Sequence, residues 1–117
     1  MKAIDFMGGD WVLINGTPRK VQAVDGVDNE IMADDELYTL AEDRYHSEDR
    51  VEGITITSEI LQKNFPTPEE VVWWPLKDGS FRAEMQDDTH LIIGKYNYVH
   101  ELQHALRLFG KDGEIEL

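Results

Sequence analysis

Two apolar-rich runs, Trp11–Ile14 and residues 20–24, flank the pair Asn15-Gly16, whose residues tolerate the positive φ of a tight two-residue turn. That pattern predicts a β-hairpin. Asp25-Gly26 marks another turn. Residues 30–32 then read as a third short strand and residues 37–40 as a fourth, after the polar stretch "ADDE". Short strands with turns at this spacing predict a small SH3-like barrel or strongly bent sheet.

The following stretch, "AEDRYHSEDR", is the most polar of the chain and reads as a loop between two halves. In "GITIT", Ile54 and Ile56 alternate with Thr55 and Thr57, the period of a half-buried strand. Thr57 or Ser58 can then cap a short helix that Pro66 and Pro68 end. The runs "VVWWPL", "SFRAEM" and "HLIIGK" are separated by turn residues and predict an antiparallel meander, with Phe81, Ala83 and Met85 toward the core. Asn97 as cap and Gly110 as the residue after the end predict a last helix over residues 98–109. The fold class is therefore α+β: a β-subdomain over residues 1–52 with an acidic loop, and a second subdomain over residues 53–117 with strand, short helix, meander and C-terminal helix.

That last helix contains His100-Glu101-Leu102-Gln103-His104, which spells H-E-x-x-H. Two histidines four residues apart share a helical face, so both imidazoles can hold zinc while the Glu activates a bound water. On a helical wheel, however, Tyr98, Val99, Leu102, Ala105, Leu106 and Phe109 form an apolar arc of roughly 120°, and His100, His104 and Arg107 fall opposite it, toward solvent. The longer zinc-peptidase pattern would place Gly at 107 and His at 110, where this chain has Arg107 and Gly110. Only His46 and His90 remain as further imidazoles. The sequence thus assigns no catalytic residue, metal ligand or cofactor, and keeps zinc with His100, His104 and Glu101 as the alternative. The adjacent Trp73 and Trp74 are the candidates for binding a partner; in an alternating strand one faces the core and the other faces out.

Three segments carry a resemblance: "DFMGGDWVLINGTPRKVQAVD", "GITITSEILQKNF" and "YVHELQHALRLFG". Together they resemble a family of small proteins, without an assigned activity, from Bacteroidetes gut bacteria and their phages and mobile elements. The shared features match Gly9-Asp10-Trp11-Val12 at the start of the hairpin, residues 57–65 in the first helix, and His100, Leu102 and Gln103 in the last. Positions matching Glu101 and His104 vary in that family. The resemblance therefore implies that the H-E-x-x-H spelling is local to this sequence.

Charge changes the picture in one respect. The net charge is −13, and residues 25–52 carry eleven carboxylates against Arg44 and Arg50. A binder of phosphate backbones needs clustered Lys and Arg, so direct nucleic-acid binding is disfavoured. The chain has no cysteine, and neither a signal-peptide pattern nor a membrane-length apolar run, which predicts a cytoplasmic protein away from membranes. The expected function is that of a non-enzymatic binding accessory factor of a phage or mobile element, with an unidentified protein partner. A zinc-dependent hydrolase is the first alternative. The second is an acidic decoy that imitates DNA toward a basic protein.

Overall fold

A computed structural model describes residues 2–40, 49–67, 71–86 and 91–117. The protein is α+β, with two antiparallel sheets and two α-helices, and it divides into two compact units, Met1–Ile54 and Thr55–Leu117.

The first unit opens with a single 3₁₀ turn, Ala3–Asp5, followed by β1 (Trp11–Ile14), β2 (Thr17–Asp25), β3 (Glu30–Ala33), β4 (Glu36–Thr39) and β5 (Val51–Gly53). The strand order is β4-β3-β2-β1-β5. The Asn15-Gly16 turn forms as the sequence predicts, with φ of 51° and 83° at its two residues. Asp34 and Asp35 make a second turn of this kind between β3 and β4, at φ of 51° and 60°. β2 is the long strand shared by both halves of the sheet, and a register irregularity between Val21 and Ala23 lets it turn from β1 to β3. The concave side buries Val12, Ile14, Val21, Ile31, Ala33 and Tyr38. No closed barrel forms among the described residues, although an isolated parallel bridge joins Leu40, just past β4, to Asp49, just before β5.

The strand expected at "GITIT" lies elsewhere. Residues 51–53 pair with the free edge of β1, Ile14 facing Val51 and Val12 facing Gly53, so the strand precedes the alternating stretch. Thr55 makes only an isolated bridge to Tyr98. Ile54 and Ile56 are nevertheless both buried, which is what their alternation encoded. The other residues of the polar loop, 41–48 and with them His46, lie outside the described residues, as does His90.

The second unit holds α1 (Ser58–Asn64), the meander β6 (Val71–Pro75), β7 (Phe81–Gln86), β8 (Leu91–Tyr96), and α2 (Val99–Leu108). Thr57 caps α1 by accepting the Ile60 N–H at 3.3 Å. The helix ends at Asn64, and its C-cap Phe65 has left the α region, which a following proline disfavours. Phe81, Ala83 and Met85 are buried, as their alternation predicts. Gly94 sits mid-strand because the ring of Tyr96 occupies the space where its Cβ would stand. The β6–β7 turn, with Gly79 at φ 89°, is organised by Asp78. The Asp78 carboxylate accepts the Ser80 N–H at 3.0 Å and the Ser80 hydroxyl at 2.5 Å, and it pairs with Lys95 on β8.

The ammonium of Lys95, then the two Ser80 donors, hold the Asp78 carboxyl well below the usual carboxylate range. A depressed folded-state pKa contributes stability above the ordinary value of about 4 and loses it as the pH falls below that value. Asp78→Asn is therefore expected to lower the melting temperature at pH 7, with the gap to the parent narrowing between pH 4 and pH 2. Thermal melts at the three pH values check this; a gap independent of pH would refute the assignment.

Candidate functional site

α2 decides the standing of the H-E-x-x-H segment. Its N-cap is Tyr98 rather than Asn97, and the Glu101 carboxylate turns back to accept both the Asn97 and the Tyr98 N–H at 2.9 Å. The Tyr98 N–H is one of the amides that a helix start leaves without an intrahelical acceptor, and the Asn97 N–H directly precedes it. Glu101 thus serves as the third-residue half of a capping box, directed at the helix start. At the other end, Gly110 has φ 93°, its N–H reaches the Arg107 carbonyl at 3.0 Å, and the Lys111 N–H reaches that of Leu106 at 2.9 Å. The helix closes in a Schellman motif.

His100 is not on a solvent face. It is 5% exposed, and Gln103 is completely buried, so the buried arc of α2 spans roughly 220° on a helical wheel instead of 120°. On the Gln103 side, the residues after the helix supply the cover. Gln103 Nε2 donates to the Gly113 carbonyl at 2.9 Å, and Ile115 is buried. Asn64 of α1 donates to the Glu116 carbonyl at 2.7 Å while accepting the Glu116 N–H at 2.8 Å. Gly113 is required here: its φ is 77°, and a Cβ would meet the Arg107 side chain at 2.7 Å and the Gln103 carbonyl at 3.1 Å. Sequence periodicity saw only the apolar stripe, because a buried Gln counts as polar.

The His100 ring stacks on Tyr98 at 5.7 Å with a 13° tilt, and His104 meets it edge-on at 5.8 Å. The two imidazoles are neighbours, but Glu101 is spent on the helix start. Among the described residues, the only three carboxylates or imidazoles with ligand atoms within 4.8 Å of one another are Asp25, Asp28 and Glu30, in the first unit.

The tryptophans separate as alternation requires. Trp73 turns inward, donating its indole N–H to the Phe65 carbonyl at 3.2 Å and meeting Phe81 edge-to-face at 6.2 Å. Its ring also walls an open groove of about 540 Å³, with Ser58, Glu59, Gln62 and Lys63 of α1. Trp74 lies on the opposite face of the sheet. Register sets it across from Arg82, whose guanidinium stands 5.4 Å from the Trp74 ring centroid, a cation–π distance. Val72, Glu84 and Ile93 form the next row of this face, and Leu91 lies beyond. Leu91 and Ile93 are 56% and 48% exposed. Sequence reading named Trp74 and missed Arg82, Val72 and Ile93. The period of two within each run was legible, whereas the register between runs was not.

Neither a family model, nor a curated protein, nor a solved structure matches the chain. No helix among the described residues is long and apolar enough to cross a membrane.

Two measurements test the account of α2. Glu101→Ala is expected to cost about 0.5–2 kcal/mol through loss of the cap, with or without zinc present. Equilibrium denaturation with added zinc or chelator reads this; a zinc-induced rise in melting temperature that Glu101→Ala leaves unchanged and His104→Ala abolishes would restore the metal reading. Gln103→Ala is expected to cost about 2–4 kcal/mol, since it leaves a cavity and an unsatisfied Gly113 carbonyl. A loss under about 0.5 kcal/mol in the same assay would show that the bond from Gln103 to Gly113 adds nothing.

Proposed function

We propose that the protein is a non-enzymatic interaction module, an accessory factor of a phage or mobile element, that engages a protein partner through the outer face of β6–β8. The observation that carries this reading is Trp74 under Arg82, on a sheet face whose other apolar members, Val72, Leu91 and Ile93, stand in solvent. Trp and Arg are the residues most enriched where a few contacts supply most of the binding energy. Here both are held in place before any partner arrives, Trp74 by the strand and Arg82 by the ring and by Glu84 at 3.4 Å. Pre-arranged side chains lose less freedom on binding.

The first unit fits a small SH3-like module within this reading. Its five strands follow one antiparallel order, β2 bends between the two halves, and the Leu40–Asp49 bridge draws together the residues beside the two outermost strands. The first alternative, a zinc hydrolase, gains from the His100–His104 neighbourhood but loses its general base to the helix cap.

Selection of displayed random peptides against the immobilised chain tests the module. Ligands are expected that bind Trp74→Ala at least about tenfold more weakly than the parent, as for an aromatic anchor. Enriched peptides that bind Trp74→Ala and parent alike would refute the assignment of the face. Zinc-dependent hydrolysis of a peptide panel, lost in Glu101→Gln, would refute the non-enzymatic reading altogether.

A further inference from the structure

The first unit carries an exposed face of different chemistry. Ala23 on β2, Met32 on β3 and Leu37 on β4 are paired across the three strands and form one apolar stripe. Met32 and Leu37 are 37% and 59% exposed. The next row of the same face is Asp25, Glu30 and Thr39. Strand alternation places it there: Ile31 and Ala33 go to the core, and Glu30 and Met32 go out.

Asp25, Asp28 and Glu30 bring carboxylate oxygens within 4.8 Å of one another, and among the described residues no Lys or Arg pairs with them. Asp34, at the other end of β3, differs, because Arg19 neutralises it. The stripe is thus bordered on one side by a cluster of like charges that repel each other and have no counter-charge among the described residues. An incoming Lys or Arg removes that repulsion, and an apolar side chain beside it covers Met32 and Leu37.

We propose that this face docks a basic amphipathic helix of a partner protein. The proposal builds on the reading of the chain as an interaction module, but it uses a different face and a different partner chemistry. The dimensions agree. Three strands about 4.8 Å apart make a stripe of about 10 Å, and two helical turns rise about 11 Å, so apolar residues at i, i+3 or i+4, and i+7 of a helix span it. Basic residues flanking that row reach Asp25, Asp28 and Glu30. A second copy of this chain is the poorer occupant, since each copy carries a net charge of −13 and would bring the same carboxylates.

The experiment uses the full chain and a labelled synthetic helix of about two heptads, with leucines at helical spacing and lysines elsewhere. Fluorescence anisotropy should show saturable binding that weakens as salt rises from about 0.05 to 0.3 M. A peptide of the same composition in scrambled order should bind at least about tenfold more weakly. Met32→Ser with Leu37→Ser should also weaken binding about tenfold or more, and Asp25→Asn with Glu30→Gln several-fold at low salt. Trp74→Ala should leave the titration unchanged, which separates this face from that of β6–β8. All five substituted positions are solvent-facing or half-buried, and an unchanged melting profile of each variant accompanies its titration; Leu37→Lys, one exposed substitution, repeats the test independently. Equal binding of the scrambled peptide, unaltered binding by the Met32/Leu37 variant, or Leu37-dependent self-association without peptide binding would each overturn the proposal.

Discussion

A buried primary amide needs partners, and in the second unit that need decides much of the rest. Gln103 sits within α2 with no exposure, and it reaches the Gly113 carbonyl. To bring that carbonyl there, the chain must leave α2 through the Gly110 turn, pass Arg107 at a distance only glycine permits, and seat Ile115. Asn64 then fastens Glu116 to α1, its amide nitrogen donating to the Glu116 carbonyl and its amide oxygen accepting the Glu116 N–H. The burial of Gln103, the Gly110 turn and the tie between Asn64 and Glu116 belong to one arrangement. A helix so enclosed keeps His104, Leu108 and Glu101 on its narrow outer side, and Leu108 alone is widely exposed, at 82%.

Both sheets use their two faces differently. In each, the inner face is a continuous apolar set, and the outer face mixes apolar with charged residues in rows set by register. On β6–β8 the charges sit beside or above the apolar groups and are paired with each other, Arg82 with Glu84 and Lys95 with Asp78. On β2–β4 the carboxylates near Glu30 are gathered without a counter-charge among the described residues. Self-neutralised surfaces select by shape, whereas unneutralised ones select by charge first.

Much of the fold was legible in the sequence because local rules encode it. Asn15-Gly16 admits only a narrow class of turn, Thr57 and Gly110 mark helix ends, and Phe81, Ala83 and Met85 declare their side by alternation. What escaped depends on distant pairing. Residues 51–53 form a strand because β1 has an edge to fill, not because "VEG" resembles one. Gln103 finds its acceptor at Gly113, ten residues on, and wheel periodicity cannot register such a partner. For the candidate face, Trp74 was legible as a residue facing out, but its stacking on Arg82 follows from a turn length and register that composition does not reveal.

The dependence of α2 on residues 113–116 also has a consequence for synthesis. A nascent chain emerges N-terminus first, and domains form as units once their residues are available. The first unit has all its strands by residue 53. The second, at the moment its last helix appears, still lacks the Gly113 carbonyl that Gln103 reaches and the Ile115 side chain, which arrive with the few residues that follow. During that interval the half-finished unit is the stretch on which a chaperone would have most to hold.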